Sequence, residues 1–77
     1  MTKCSKELDQ EIHKDIGLRI NALRISTNKT IAKLAQELDI SESRLQRYMH
    51  GKSCIPLIVI KECSRVFGVS FAYFFKD

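Results

Sequence analysis

This 77-residue chain has no tryptophan, one proline and three glycines, and each scarcity excludes something. So little turn chemistry argues against a β fold of many short strands, and a content of 44% hydrophobic and 29% charged residues argues against disorder. No apolar run approaches the roughly 20 residues that span a bilayer, and the N-terminus MTKCSKELDQE is too charged for a signal peptide. Cys4, Cys54 and Cys63 are odd in number and have no CxxC spacing, so neither a disulfide framework nor a zinc ribbon is suggested, and a reducing cytosol is expected. His13, His50, Cys4 and Cys54 match no zinc-ligand pattern, and no nucleophile, base and orienting group stand at an informative spacing. No enzyme, metal, cofactor or small-molecule ligand is expected.

What remains is a chain long enough for one small core. It buries only about 60% of the surface of its unfolded form, so its stability is modest unless chains associate. Thirteen basic residues against nine acidic ones leave a net charge of +4, and the position of that excess is more informative than its size. Lys3, Lys6 and Lys14 nearly cancel against Glu7, Asp9, Glu11 and Asp15. From Glu42 to Cys54, Arg44, Arg47 and Lys52 face Glu42 alone, which favours a polyanionic partner at that stretch.

Apolar spacing predicts an all-α chain of five helices. Residues 1–11 lack an apolar stripe and read as a flexible arm or frayed turn, leaving 12–77 as the domain. Ile12, Ile16, Ile20 and Leu23 recur at helical spacing in a first helix to about Ile25, with Gly17 inside it. Thr30 is placed to cap a second helix striped by Ile31, Leu34, Ala35 and Leu38. Asp39 falls where the chain must reverse and tolerates a left-handed backbone. Ser41 is a strong N-cap for a third helix from Glu42 to about His50, which buries Leu45, Tyr48 and Met49 and ends at Gly51. Pro56 suits the first position of a fourth helix, for which an isolated β-branched strand is the rival. Gly68 stops it before a short aromatic helix from Phe71 to Phe75.

Two short amphipathic segments joined by a tight turn, within LAQELDISESRLQRYMHGK from Leu34 to Lys52, have the outline of a helix-turn-helix, whose second helix lies in the major groove of DNA. With IGLRINALR, KTIAKLAQELDIS, RLQRYMHGK and FGVS in order, the chain from about Ile16 to Phe75 resembles the Cro/CI-repressor, or XRE, family of bacterial and phage regulators. The resemblance implies a compact, lambda-repressor-like five-helix bundle that binds double-stranded DNA, represses transcription and resides in the cytoplasm, nucleoid-associated or phage-encoded.

Carried over by position, it implies base contacts from Glu42, Ser43, Arg44, Gln46 and Arg47. It implies phosphate contacts from Thr30, Ile31 and Ser41 at helix starts, and from His50, Lys52 and Ser53 after the third helix. Arg offers two hydrogen bonds to guanine, Gln two to adenine, and Glu42 can accept one from cytosine. A free helix start binds phosphate through its N–H groups, so Ile31 can serve where the family usually has Gln. The family also often pairs an Arg late in helix one with a Glu late in helix three. Here Met49 replaces that Glu, so Arg24 is expected in solvent, on Glu37 or on phosphate.

Tyr48 at its spacing from Leu45 reads as core rather than as a base-stacking ring, and Cys54 reads as a plain unreactive thiol rather than an oxidant sensor. A domain this small cannot bury all its aromatic residues, so Ile58, Phe71, Phe74 and Phe75 are candidates for a surface between two copies, which would suit a palindromic operator. The alternative is an antitoxin-like or adaptor module that applies the apolar surface of helices four and five to another protein.

Overall fold

The computed structural model describes the backbone of residues 7–75 and the side chains of residues 11–75. Within it the chain forms α1 (Glu7–Ser26), α2 (Ile31–Leu38), α3 (Glu42–Met49), α4 (Leu57–Phe67) and a closing 3₁₀ turn (Phe71–Phe75), with no strand among the described residues. The all-α expectation holds with one change: the fifth helix is a 3₁₀ turn, the tighter form favoured for so short a piece. The arm expected over residues 1–11 lies outside the described residues for 1–6, and from Glu7 onward it is helical. Acidic residues at positions 7 and 9 of the sequence are of the type favoured at a helix start, which needs no apolar stripe.

Each boundary is fixed by local chemistry. Thr30 Oγ1 accepts the N–H of Lys33 at 3.0 Å to open α2, and Ser41 Oγ accepts that of Arg44 at 3.1 Å to open α3. Between them Asp39 takes φ 60° and its N–H closes on the carbonyls of Ala35 and Gln36, so one left-handed residue reverses the chain. Gly51 at φ 71° ends the α3 segment and Gly68 at φ 70° ends α4. Pro56 stands at the N-cap of α4, one position ahead of the helix proper.

The core is one cluster. Ile16 and Ile20 of α1, Leu34, Ala35 and Leu38 of α2, Leu45, Tyr48 and Met49 of α3, and Val59, Ile60 and Cys63 of α4 are buried together with Ile55 and Phe74. A fully buried side chain such as Leu45 contributes about 1.5–3 kcal/mol, so eight-residue helices that would melt alone are held by packing. α1 packs on α3 and on the 3₁₀ turn, α2 on α3 and α4, and α4 on the 3₁₀ turn.

Gly17 lies where α1 crosses α3: a Cβ there would collide with the carbonyl oxygen of Tyr48 and stand 3.2 Å from Cα of Met49. The missing side chain lets the two helices approach and so sets the height of α3 on the domain. Ile12 departs from the expected stripe, since it is exposed. No helix among the described residues is long and apolar enough to cross a membrane.

Candidate nucleic-acid interface

The cap at Ser41 and the buried side chains Leu45, Tyr48 and Met49 fix the rotation of α3, and the rest follows from helical geometry. Glu42, Ser43, Arg44, Gln46 and Arg47 are all exposed. Tyr48 is 5% exposed and packs in the core, showing only an edge at the surface, so its ring is not free to stack on a base. α3 therefore presents two arginines, a glutamine, a serine and one acid to solvent, the donor and acceptor types that read base edges.

The loop after α3 folds back along it. Gly51 N–H bonds to Tyr48 O at 3.2 Å, Lys52 N–H to Arg47 O at 2.8 Å, and Ser53 Oγ accepts the Nε–H of Arg47 at 3.0 Å. Ser41, Ser43, Arg44, Arg47, Tyr48, Ser53 and Cys54 together line an open concavity of about 330 Å³. The fold thus brings Ser41, Ser43, Arg44, Arg47 and Ser53, expected as two separate sets of contacts, to the wall of one hollow. Glu42, Gln46, His50 and Lys52 are exposed beyond that lining.

At the start of α2 the Thr30 hydroxyl already holds the N–H of Lys33, and Leu34 N–H bonds to Thr30 O at 3.0 Å. The N–H groups of Ile31 and Ala32 precede the first intrahelical bond and form the open end of the helix. The Ile31 side chain is half-buried against the core, so only its backbone can address an anion.

Three sequence expectations are corrected. Arg24 is neither in open solvent nor on Glu37. Its guanidinium bonds to Asn21 Oδ1 at 3.1 and 2.9 Å and to Lys29 O at 2.9 Å, while Lys29 Nζ pairs with Glu37 at 2.9 Å. Lys29 holds the carboxylate, and Arg24 ties the end of α1 to the turn. Phe74 is 1% exposed and belongs to the core rather than to a surface between copies, because the 3₁₀ turn points it inward while Phe71 and Phe75 stay 42% and 45% exposed. Cys54 is disulfide-bonded and not the free thiol expected; Cys63 is free and buried. Which sulfurs meet depends on tertiary approach, which spacing along the chain does not reveal.

Two contributors at this surface were not foreseen. Ser53 was expected only on phosphate, yet it holds Arg47 across the end of a helix. His13 accepts the N–H of Ile55 at 2.9 Å through Nδ1 and so ties the loop to α1. No spacing rule reports a bond between residues 42 apart in sequence.

A helix-turn-helix family, HTH_3, matches residues 20–74. Comparison with curated proteins finds no match. Among solved structures, the clp gene regulator ClgR from Corynebacterium glutamicum superposes with a TM-score of 0.78 at 17% identity, over 83% of this chain and 68% of that one. An HTH_3 family transcriptional regulator from Vibrio cholerae superposes with a TM-score of 0.77 at 22% identity, over 87% of this chain and 38% of that one. At such identities the likeness is one of fold, and the chain spans little more than a third of the second relative.

Proposed function

The chain belongs to the HTH_3 helix-turn-helix family, whose members are DNA-binding transcriptional regulators, and on that premise we propose that it binds double-stranded DNA sequence-specifically and represses bacterial or phage transcription. Residues 12–77, with the helical turn from Glu7, form the binding domain, and α3 enters the major groove. Glu42, Ser43, Arg44, Gln46 and Arg47 read bases. Thr30 and the open backbone N–H groups beginning at Ile31, the Ser41 hydroxyl, His50 and Lys52 hold phosphates, whereas Ser53, expected with them, is taken up by Arg47. A DNA partner places the chain in the cytoplasm. The disulfide at Cys54 takes away the cysteine-based argument for that compartment and leaves the partner as the reason.

The observation that carries this reading is the division of α3 into a buried apolar face and an exposed face of arginine, glutamine and serine, capped and fixed by Ser41. Phosphate neutralisation supplies most of the affinity, and α3 the discrimination. Leu57, Ile58, Phe71 and Phe75 are 66%, 63%, 42% and 45% exposed. A second copy covering them gives a two-fold dimer, whose recognition helices meet half-sites about 34 Å apart on one face of DNA.

The experiment is fluorescence anisotropy on a duplex selected by the protein from a random pool and on a scrambled duplex of equal composition, over a range of salt. The selected duplex should bind more tightly, and affinity for both should fall linearly on a log–log plot against salt. The same exposed apolar surface favours a second reading, in which the chain is an antitoxin-like or adaptor module docked on another protein. Absence of salt-sensitive DNA binding, together with co-purification of a protein partner, would replace the first reading by the second.

A further inference from the structure

We infer that Ser53 is a positioning residue, which sets the plane of the Arg47 guanidinium for an end-on, two-bond contact with guanine. The inference rests on the base-reading role proposed above for α3. Guanidinium has five N–H donors in a rigid plane, but it sits at the end of a flexible stem. In this chain the Nε–H is given to Ser53 Oγ at 3.0 Å. The four remaining N–H groups lie on the two terminal nitrogens, the pair that spans O6 and N7 of guanine end-on. A side-on approach, which uses Nε and one terminal nitrogen, is closed while that bond stands.

The acceptor is itself fixed. Ser53 follows Lys52, whose N–H is bound to Arg47 O at 2.8 Å, and precedes Ile55 by two residues, whose N–H is bound to His13 Nδ1 at 2.9 Å. The loop is therefore tied on one side to α3 and on the other to α1, and Ile55 is buried in the core. An exposed hydrogen bond to a mobile loop would compete poorly with water. One to an anchored hydroxyl orders the side chain before DNA arrives and reduces the rotamer freedom lost on binding. The concavity beside it, walled by Ser43, Arg44 and Arg47, leaves room for the base edge.

The positioning role predicts a result opposite to that of a phosphate contact. Binding of wild type, Ser53→Ala, Ser53→Thr, Arg47→Ala and the double variant Ser53→Ala with Arg47→Ala is measured on the selected and scrambled duplexes over a salt range. Ser53→Ala should lower the ratio of the two affinities about 3- to 10-fold, the scale of one hydrogen bond, with the salt slope unchanged. Ser53→Thr keeps the hydroxyl and should restore the ratio, and the double variant should discriminate no worse than Arg47→Ala alone. In the free protein, solvent exchange of the Arg47 Nε–H, followed by NMR, should be slowed in wild type and Ser53→Thr and released in Ser53→Ala.

Equal loss on both duplexes with a salt slope shallower by about 0.9 makes Ser53 a phosphate contact and overturns the inference. Additive losses in the double variant, or an Arg47 Nε–H that exchanges freely in wild type, overturn it as well. A wild-type chain that does not discriminate between the duplexes overturns the base-reading proposal, and this inference with it.

Discussion

The imidazole Nδ1 of His13, in the first half of α1, accepts the backbone N–H of Ile55 at 2.9 Å, joining the first helix to the loop that follows α3. Ile55 is buried, so its N–H has lost water and depends on this acceptor. The contact transmits order from the core to Ser53, which holds Arg47, and to Lys52, assigned to phosphate.

His13→Ala should therefore cost about 1 to 2 kcal/mol, because it leaves a desolvated donor unpaired. In a domain of this size that lowers the thermal midpoint by roughly 4 to 16 °C. His13→Gln, which offers an amide oxygen, should recover part of the loss. Thermal unfolding of the three proteins by circular dichroism decides it, and equal midpoints would remove the bond from any structural role.

Gly17→Ala should destabilise, against the usual sign for a helix interior, where Ala is favoured by up to ~1 kcal/mol. The new methyl meets the Tyr48 carbonyl, a backbone atom that cannot step aside without moving α3. A loss of about 1 to 3 kcal/mol is expected in urea unfolding, with weaker DNA binding as α3 shifts. A variant more stable than wild type would show that α1 and α3 do not approach as described.

Arg47→Ala and Lys52→Ala should fail in different ways. The first should lose about 5- to 150-fold on the selected duplex and little on the scrambled one. Lys52→Ala should weaken both alike and flatten the salt slope by about one. Matching profiles for the two variants would deny the division between base reading and phosphate holding.

Burial, with the Glu62 carboxylate adding to it, pushes the Cys63 thiol from its ordinary 9.0 up to about 12. Above about pH 9 the unfolded chain has released this proton while the folded chain keeps it. The unfolded state then binds fewer protons, and stability falls as pH rises. The contribution is whole below about pH 9 and lost by about pH 12. Urea unfolding at a series of pH values from about 8 to 10 should show wild type falling more steeply than Cys63→Ala; parallel curves would contradict the shift.

The legible parts of the chain were those whose signals are local. Thr30, Ser41, Asp39 and Gly51 mark ends through bonds or backbone angles that reach only three or four residues, so the capped pieces follow from side-chain chemistry alone. Apolar spacing likewise placed Leu34, Leu38, Leu45 and Tyr48 inward and left Arg44, Gln46 and Arg47 outward. The first turn of α1 was missed because it carries no apolar stripe. The Arg24 partners were missed because one is a backbone carbonyl, that of Lys29, whose place is set by the turn rather than by residue type, while Glu37 is held by the Lys29 ammonium.

By itself, then, the sequence determined the helices, their order, the face each buries and the residue types on the outer face of α3, since periodicity and capping are properties of neighbouring residues. Only the tertiary structure decided which of Phe71, Phe74 and Phe75 turns inward, that Cys54 is disulfide-bonded, how closely Gly17 lets α1 approach α3, and that His13 and Ser53 stand behind the reading surface. Each of these is a meeting of groups brought together by the folding of the whole core, and its energy depends on approach and burial that no local pattern encodes.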